Sequence, residues 1–240
     1  MLATNKRRLS IIIPAYNEEK TIVEILDKVL AVQLPENIDK EIIIVNDCSH
    51  DESEKRIKQY IESHPKETIK YTSHTRNQGK GMAIRTGIKE VSGNWVIIQD
   101  ADMEYDPQDY LVLLPHLLSG ECKVIYGSRF LNRQNVHSYQ SFYWGGRFVS
   151  LVTNLLYGQH LTDEPTCYKM FDTELLKSIP LECTGFEFCP EVTAKIARKG
   201  YKIKEIAIRY YPRSIEEGKK IKWYDGVEAI WTLLKYRLHK

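Results

Sequence analysis

The chain has 240 residues, 42% of them hydrophobic and 28% charged, and a formal net charge of +2. It is long enough for one large α/β core, and its interspersed charges exclude a bulk nucleic-acid binder or an acidic solvating tail. No run approaches the ~20 apolar residues that cross a bilayer, so a cytoplasmic protein that is soluble or lies on the cytosolic face of a membrane is expected.

Residues 9–13 read as a buried strand, too short for a signal peptide and broken at Pro14 in PAYNEE. Ile22, Ile25, Leu26, Val29 and Leu30 follow at helical spacing, with Glu18 and Glu19 near the start. A second strand at residues 41–45 runs into NDCSHD, where Ser49 or Asp51 is expected to cap a helix burying Ile57, Tyr60 and Ile61. A third at residues 69–72 leads into RNQGKG and a helix with Met82, Ala83 and Val91, and a fourth begins at Trp95. Four strands alternating with three helices predict right-handed βαβ crossovers, a mainly parallel sheet, and ligands beyond the carboxyl ends of its strands. Gly79 and Gly81 around Lys80 suit a phosphate cradle or a flexible helix entry, and their spacing matches neither a Walker loop nor a dinucleotide fingerprint.

The fourth strand opens WVIIQDADMEYDP, residues 95–107, where an apolar run ends abruptly in carboxylates. Asp100 and Asp102 flank Ala101, and in an extended segment residues two apart point the same way. Both carboxylates can then reach one hard cation, Mg²⁺ or Mn²⁺, which protein carboxylates and substrate phosphates commonly share. Glu104 offers a further oxygen. The competing reading is that acids after a strand cap the next helix, as Asp106 before Pro107 is expected to do.

The second half is less regular. A helix over residues 109–118 is expected to kink at Pro115, and strands are expected at residues 122–126, 167–171 and 203–211. Residues 142–157, aromatic and aliphatic with Arg147 in the middle, fit a packed core helix. GFEFCPEVTAKIARKG holds a helix ending at Gly200, and the loop RSIEEGKK precedes a last helix. That helix, Trp223–Leu238, places Val227, Ile230, Trp231 and Leu234 on one face, with Lys235, Arg237, His239 and Lys240 near its end. Basic residues gather at Lys6, Arg7 and Arg8, and again at Arg209, Arg213, Lys219, Lys220 and Lys222. The five cysteines show no metal-ligand spacing, which predicts free thiols.

In this order, IIIPAYNEE, IIIVNDCSHD, NQGKGMAIRTG, DADMEYDP, VIYGSR, GFEF and a late Arg with GKK resemble family 2 glycosyltransferases of the GT-A fold. The similarity spans residues 10–220 and points to the branch of dolichyl-phosphate mannose synthases and related polyprenyl-phosphate sugar transferases. It implies one α/β, Rossmann-like domain, a mixed but mainly parallel sheet flanked by helices. Residues 1–127 would form the nucleotide-sugar half, and residues 128–240 the acceptor half with its closing amphipathic helix. Pro14, Tyr16, Glu18, Val45 and Asp47 are implied around base and ribose, with Lys80, Asp100, Ala101 and Asp102 completing the donor site. Asp100, Asp102 and Glu104 would hold the Mg²⁺ or Mn²⁺, and Arg129, Arg147, Arg213 and Lys220 would join Asp102 as catalytic residues by meeting phosphates. Asn46 departs from the usual first aspartate of a pair, and Asp163 is followed by EPTCYK instead of a Ser-Gly-Phe-like run, which leaves sugar and acceptor open.

The implied reaction is inverting, metal-dependent hexose transfer from a GDP-mannose or UDP-glucose type of donor to a polyprenyl or dolichyl phosphate. Arg129 and Arg147 are expected to clamp the lipid phosphate, and the last helix to lie on the membrane surface. An acceptor hydroxyl, as in polysaccharide synthesis, would need a general base, for which Asp163, Glu164 and Glu187 are candidates. A non-catalytic nucleotide-sugar-binding protein would lack a metal carboxylate or the late basic residues, and a nucleotidyltransferase would open on a Gly-rich basic loop in place of acidic PAYNEE. Asp47→Ala is expected to weaken nucleotide binding and leave the fold intact.

Overall fold

The computed structural model describes residues 7–35, 37–136, 139–214 and 220–238. Lys6, Lys219, His239 and Lys240 of the basic clusters, and most of the RSIEEGKK loop, lie outside the described residues.

Among the described residues there are seven strands: β1 (Arg7–Ala15), β2 (Ile38–Asn46), β3 (Ile69–Ser73), β4 (Trp95–Ile98), β5 (Val124–Ser128), β6 (Lys169–Asp172) and β7 (Lys204–Ala207). They form one sheet in the order β3-β2-β1-β4-β6-β5-β7. The β3-β2-β1-β4 stretch is parallel throughout. The mixed character comes from β6, which runs antiparallel between β4 and β5, while β7 pairs parallel with β5.

Covering both faces of a parallel sheet turns its strands into nearly continuous apolar runs, and the alternation divides each run between two cores. Ile11 and Ile13 share one core with Ile42, Ile44 and Ile97. Ile12 shares the other with Ile43, Val45 and Ile98. On the first face lie α1 (Ile22–Ala31), α2 (Ser53–Ser63) and α4 (Tyr110–Leu118), and on the second α3 (Lys80–Glu90), α6 (Thr173–Lys177) and α7 (Phe188–Arg198). Two more helices, α5 (Gln140–Tyr157) and α8 (Trp223–Leu238), pack together and onto α7 around Val149, Ala194, Ala229 and Leu233. Among the described residues no helix is long and apolar enough to cross a membrane.

Several local expectations are corrected. Glu52, not Ser49 or Asp51, holds the cap position of α2. Ser49 and Asp51 accept the backbone N–H groups of Asn17 and Glu19 at 3.0 and 3.1 Å, which ties the PAYNEE loop to the loop after β2, while Asp51 Oδ1 also takes the Ser53 N–H that opens α2 at 3.0 Å. Asp106 does cap, accepting from Gln108 N at 2.9 Å, but it opens a 3-10 turn ahead of α4. The strand expected over residues 203–211 stops at Ala207 because the side-chain amides of Asn132 and Asn135 take the Ile208 carbonyl at 3.2 and 2.9 Å. Tyr210 retains only an isolated bridge to Tyr105.

The two helices of the outer layer also differ from expectation. α5 is not a core helix: it buries only Val149, Ser150 and Thr153 and exposes Trp144, Phe148, Leu151 and Leu155. α8 buries Ala229, Thr232, Leu233 and Tyr236, so Val227 and Trp231 of its expected packing face are exposed. Both helices carry apolar residues on more than one side, and packing on α7 and on each other covers only one of them.

At the amino ends of the strands, fully buried Glu41 accepts from Ser10 Oγ at 2.5 Å and from Ser92 N and Oγ, both at 2.7 Å. Lys70 Nζ lies 3.2 Å away. Burial pushes this carboxyl up, but the bonds from Ser10, Ser92 and Lys70 together outweigh burial and hold it at about 2. Because the folded value is depressed, its contribution to stability is complete above the ordinary glutamate range and is lost as pH falls through about 2. Glu41→Gln should cost about 1.5–3 kcal/mol at neutral pH, measured by urea unfolding, and the gap from the parent should narrow at strongly acidic pH.

Candidate active site

The site is built at the carboxyl ends of β1, β2 and β4. Gln99 continues the ladder past β4 by donating its N–H to Ile12 O at 2.9 Å. Its side-chain oxygen accepts the hydroxyls of Tyr110 and Tyr168 at 2.7 and 3.0 Å. Pinned there, the chain bends over residues 101–104 instead of continuing extended. Asp100 and Asp102 are nonetheless neighbours, 9% and 7% exposed, with Ala101 buried between them.

Cations from distant parts of the chain face these carboxylates. Lys80 Nζ stands 2.5 Å from Asp100 Oδ1, and Arg213 Nη2 stands 2.5 Å from Asp102 Oδ2. Arg213 Nη1 also reaches Glu18 Oε2 at 3.3 Å, while Lys220 Nζ donates to Glu18 Oε1 at 2.6 Å and to the Tyr16 carbonyl. Half-buried Tyr16 lies under Lys220, 5.6 Å from its ring centroid, at the end of β1 beside half-buried Pro14. Tyr16, Glu18, Lys80, Asp100, Asp102, Arg213 and Lys220 therefore meet at one sheet edge.

Burial, and then the Asp100 charge, push the Asp102 carboxyl up to about 7 against the pull of Arg213. Burial opposes the Arg213 charge, but Asp102, Glu18 and Glu104 outweigh it and hold the guanidinium protonated. Lys80 follows the same logic, with Asp100 and Cys167 outweighing its desolvation.

Among the described residues no three His, Cys, Asp or Glu side chains are arranged around a cation. Glu104, expected as a third ligand, has a carboxylate that accepts from Arg213 N at 2.8 Å and Tyr210 Oη at 3.3 Å. Asp100 and Asp102 do fit Mg²⁺ or Mn²⁺. Two adjacent buried carboxylates concentrate negative charge that a divalent ion relieves, and substrate phosphates can fill the ion's remaining positions. Beside them Arg213 Nε is buried with no acceptor among the described residues, a donor left over for an anion.

Other expected site residues are placed differently. Val45 is fully buried in the second core, so its side chain is structural. Asp47 is 3% exposed and fully engaged: its two oxygens accept from Gln78 N at 2.8 Å and Gly79 N at 2.7 Å, with His74 Nδ1 at 2.7 Å. It anchors the loop that launches α3. The expectation that Asp47→Ala spares the fold is therefore reversed, since the half-buried N–H groups of Gln78 and Gly79 would lose a charged acceptor. Asp47→Ala should lower stability by about 1.5–3 kcal/mol in a calorimetric scan; an unchanged melting temperature with weakened nucleotide affinity would restore the direct-contact role.

Gly79 and Gly81 are neither cradle nor flexible entry. A Cβ on Gly79, whose φ is +90°, would sit 2.3 Å from the Thr184 carbonyl oxygen, and one on Gly81 would sit 2.8 Å from that of Gly185. The start of α3 is packed against residues 184–185, which leaves Lys80 aimed at Asp100. The glycine pair, read with Gly185 of GFEF, is the signal that could have revealed this contact.

Arg129 and Arg147 are not two equivalent arms of a clamp. Arg129 makes a fork to Asp163, Nε to Oδ2 at 2.8 Å and Nη2 to Oδ1 at 2.7 Å. Arg147 is exposed, and its Nη1 makes one long bond to the Thr162 carbonyl at 3.4 Å. Both guanidinium groups lie near the Phe130 ring, at 5.6 and 5.7 Å from its centroid. Glu205, not singled out in the sequence, fixes this corner by accepting from Thr162 N at 2.6 Å and Asp163 N at 2.8 Å. Arg209 of the late basic cluster is likewise taken up, forking onto Asp109 at 2.9 and 2.8 Å.

The three candidate bases are occupied or buried. Asp163 holds Arg129. Glu164 is fully buried and so out of reach of an acceptor: Oε1 accepts from Thr193 Oγ1 at 2.8 Å with Lys169 Nζ 3.9 Å away, while Oε2 has no hydrogen-bond partner among the described residues. Glu187 receives the N–H groups of Thr184 at 2.7 Å and Gly185 at 2.9 Å.

Comparison with known proteins agrees with this architecture. Residues 10–179 match Glycosyl transferase family 2. The chain is 29% identical over 239 residues to dolichyl-phosphate beta-glucosyltransferase ALG5A of Trichomonas vaginalis, covering 95% of this chain and 72% of that one. Its fold is similar to glucosyl-3-phosphoglycerate synthase from Mycobacterium tuberculosis, solved with Mn²⁺, UDP and phosphoglyceric acid. The TM-score is 0.69 at 21% identity, over 97% of this chain and 79% of that one. The same enzyme solved with Mg²⁺ and UDP gives 0.67 at 21% identity, over 96% and 79%.

Proposed function

The chain belongs to glycosyl transferase family 2, and from that premise we propose that this glycosyltransferase moves a hexose from a nucleoside-diphosphate sugar to a polyprenyl phosphate, with inversion at the anomeric carbon. Residues 1–127 would supply most of the donor side and residues 128–240 the acceptor side, with Arg213 and Lys220 reaching back to the donor. The observation that carries the reading is the convergence of Arg213, Lys80 and Lys220 on the Asp100–Asp102 carboxylates and Glu18 at the sheet edge. UDP and a divalent ion in the fold neighbour support the donor class, and the dolichyl-phosphate relative supports the lipid acceptor.

Breaking the bond from the anomeric carbon to the diphosphate leaves negative charge on the departing oxygens. Asp100 and Asp102 would hold the Mg²⁺ or Mn²⁺ that, when bound, neutralises part of this charge. Arg213 can supply the rest through Nε, which makes no hydrogen bond among the described residues and lies 4.0 Å from Glu104 Oε1. Lys220, which is exposed, stands over Tyr16 and Glu18, where base and ribose are proposed to lie. Glu18 keeps Lys220 and Arg213 together at the donor. On the acceptor side Arg147 has a guanidinium only weakly committed. An acceptor phosphate is already a nucleophilic anion and needs no base, which accords with the engagement of Asp163 and Glu187 in fixed bonds and the complete burial of Glu164.

The test is release of nucleoside diphosphate from a panel of UDP- and GDP-sugars, with and without polyprenyl phosphate. Turnover should appear with one donor and rise with the lipid. Arg147→Ala should reduce transfer to polyprenyl phosphate by roughly 10- to 150-fold, the loss of a charge-assisted bond, while calorimetric donor affinity holds. Efficient transfer to a soluble saccharide with no response to lipid phosphate would move the assignment to saccharide elongation.

A further inference from the structure

α5 and α8 each present an apolar stripe on the side away from the core, and we propose that the two stripes form one docking face for an anionic lipid bilayer. The lipid-acceptor reading gives this face its use, although the face can be tested apart from it.

On α5 the stripe is Trp144, Phe148, Leu151 and Leu155, which are 52% to 76% exposed at helical spacing. The buried Val149, Ser150 and Thr153 lie on the opposite side of the helix. On α8 the stripe is Trp223, Val227, Trp231 and Leu238, which are 59% to 80% exposed, again opposite the buried Ala229 and Leu233. The helices are held side by side, with Tyr157 Oη donating to the Leu233 carbonyl at 2.6 Å. Their buried sides share one cluster with Ala194 of α7. Because both helices turn their inner sides to α7, both stripes open outward together. Single exposed apolar residues are ordinary, but a contiguous surface of this kind marks a contact.

Charge selects the occupant. Arg147 is the only charged residue of α5. Lys222 and Arg237 are exposed around the α8 stripe together with Lys235, whose Nζ lies 3.4 Å from Glu182 Oε2, against Glu228 as that helix's exposed acid. Tryptophan with aliphatic residues, rimmed by cations, is the composition that settles at the boundary of acyl chains and headgroups. A symmetric contact with a second copy would bring these cations against each other, whereas anionic headgroups neutralise them. Arg147 is at once a rim cation and, through Thr162, a neighbour of the Arg129–Asp163 corner. A phosphate anchored in the bilayer is thereby delivered to the acceptor side.

The experiment is co-sedimentation of the full chain with vesicles of phosphatidylglycerol and phosphatidylcholine, and with phosphatidylcholine alone, at low and high salt. Binding to the anionic vesicles that weakens with salt is expected, with a blue shift of tryptophan emission. Trp231→Ser combined with Leu155→Ser, both at exposed positions, should weaken partitioning by about tenfold or more at unchanged melting temperature. No vesicle binding by the parent, or equal binding by parent and variant, overturns the proposal. So does a concentration-dependent dimer in sedimentation velocity that the double variant abolishes without any vesicle binding. Transfer to detergent-solubilised polyprenyl phosphate reports the acceptor separately, so vesicle binding without such transfer would leave the face standing and remove the lipid-acceptor reading.

Discussion

Asp102→Asn should lower sugar-transfer turnover by about 10²–10³-fold or more, on the scale of losing a transition-state charge stabiliser. The amide is the same size, and its oxygen can still accept the N–H of Glu104, which Asp102 Oδ1 holds at 3.0 Å, so the bend over residues 101–104 should survive. What is lost is a negative charge next to Asp100 in a buried setting, the feature that suits a divalent ion. The companion measurement is turnover in excess chelator, which should collapse and return with Mg²⁺ or Mn²⁺. Full activity in chelator, or a fully active variant, would remove the cation from these carboxylates.

Arg213→Ala should be nearly as damaging to turnover, again about 10²–10³-fold, and it carries a second signature. Arg213 joins Asp102 at 2.5 Å and Glu18 at 3.3 Å, with Glu104 accepting from its backbone at 2.8 Å. Without the guanidinium, the carboxylates of Asp102 and Glu18 lose a shared countercharge in a partly dry site, and the melting temperature of the ligand-free protein should fall. A divalent ion binding Asp100 and Asp102 should then recover more melting temperature in the variant than in the parent, through stabilisation of the state that binds. Arg213→Lys keeps the charge but not the fork, so it should restore stability better than turnover. Equal metal-induced shifts in parent and variant would place Arg213 outside the metal-facing group.

The parts of this molecule that were legible in its sequence are those where one physical rule acts over a short window. Strands β1, β2 and β4 stand out because a sheet covered on both faces needs uninterrupted apolar runs. Asp100 and Asp102 stand out because such a run ends in paired acids. What could not be read depends on partners distant along the chain. Arg129 looks free until Asp163 meets it, and Asp47 looks like a ligand until residues 74–79 fold back onto its oxygens. The end of β7 is set by Asn132 and Asn135 capturing a carbonyl, which no propensity encodes. For α5 and α8 the period was plain, but a helix apolar on several sides does not state which side the rest of the molecule covers.

The placement of β6 bears on how the chain is made. β4 is bonded to β1 on one side and to antiparallel β6 on the other, and β6 lies far downstream of β4 in the chain. While the polypeptide is emerging from the ribosome, the first four strands can assemble in sequence, but the outer edge of β4 stays bare until residues 169–172 arrive. That interval leaves Trp95–Ile98 as an unpaired apolar edge, the kind of surface that recruits strands from other chains. Chains cut short before β6 should therefore be the aggregating species, and a chaperone acting during synthesis would find its substrate at that edge.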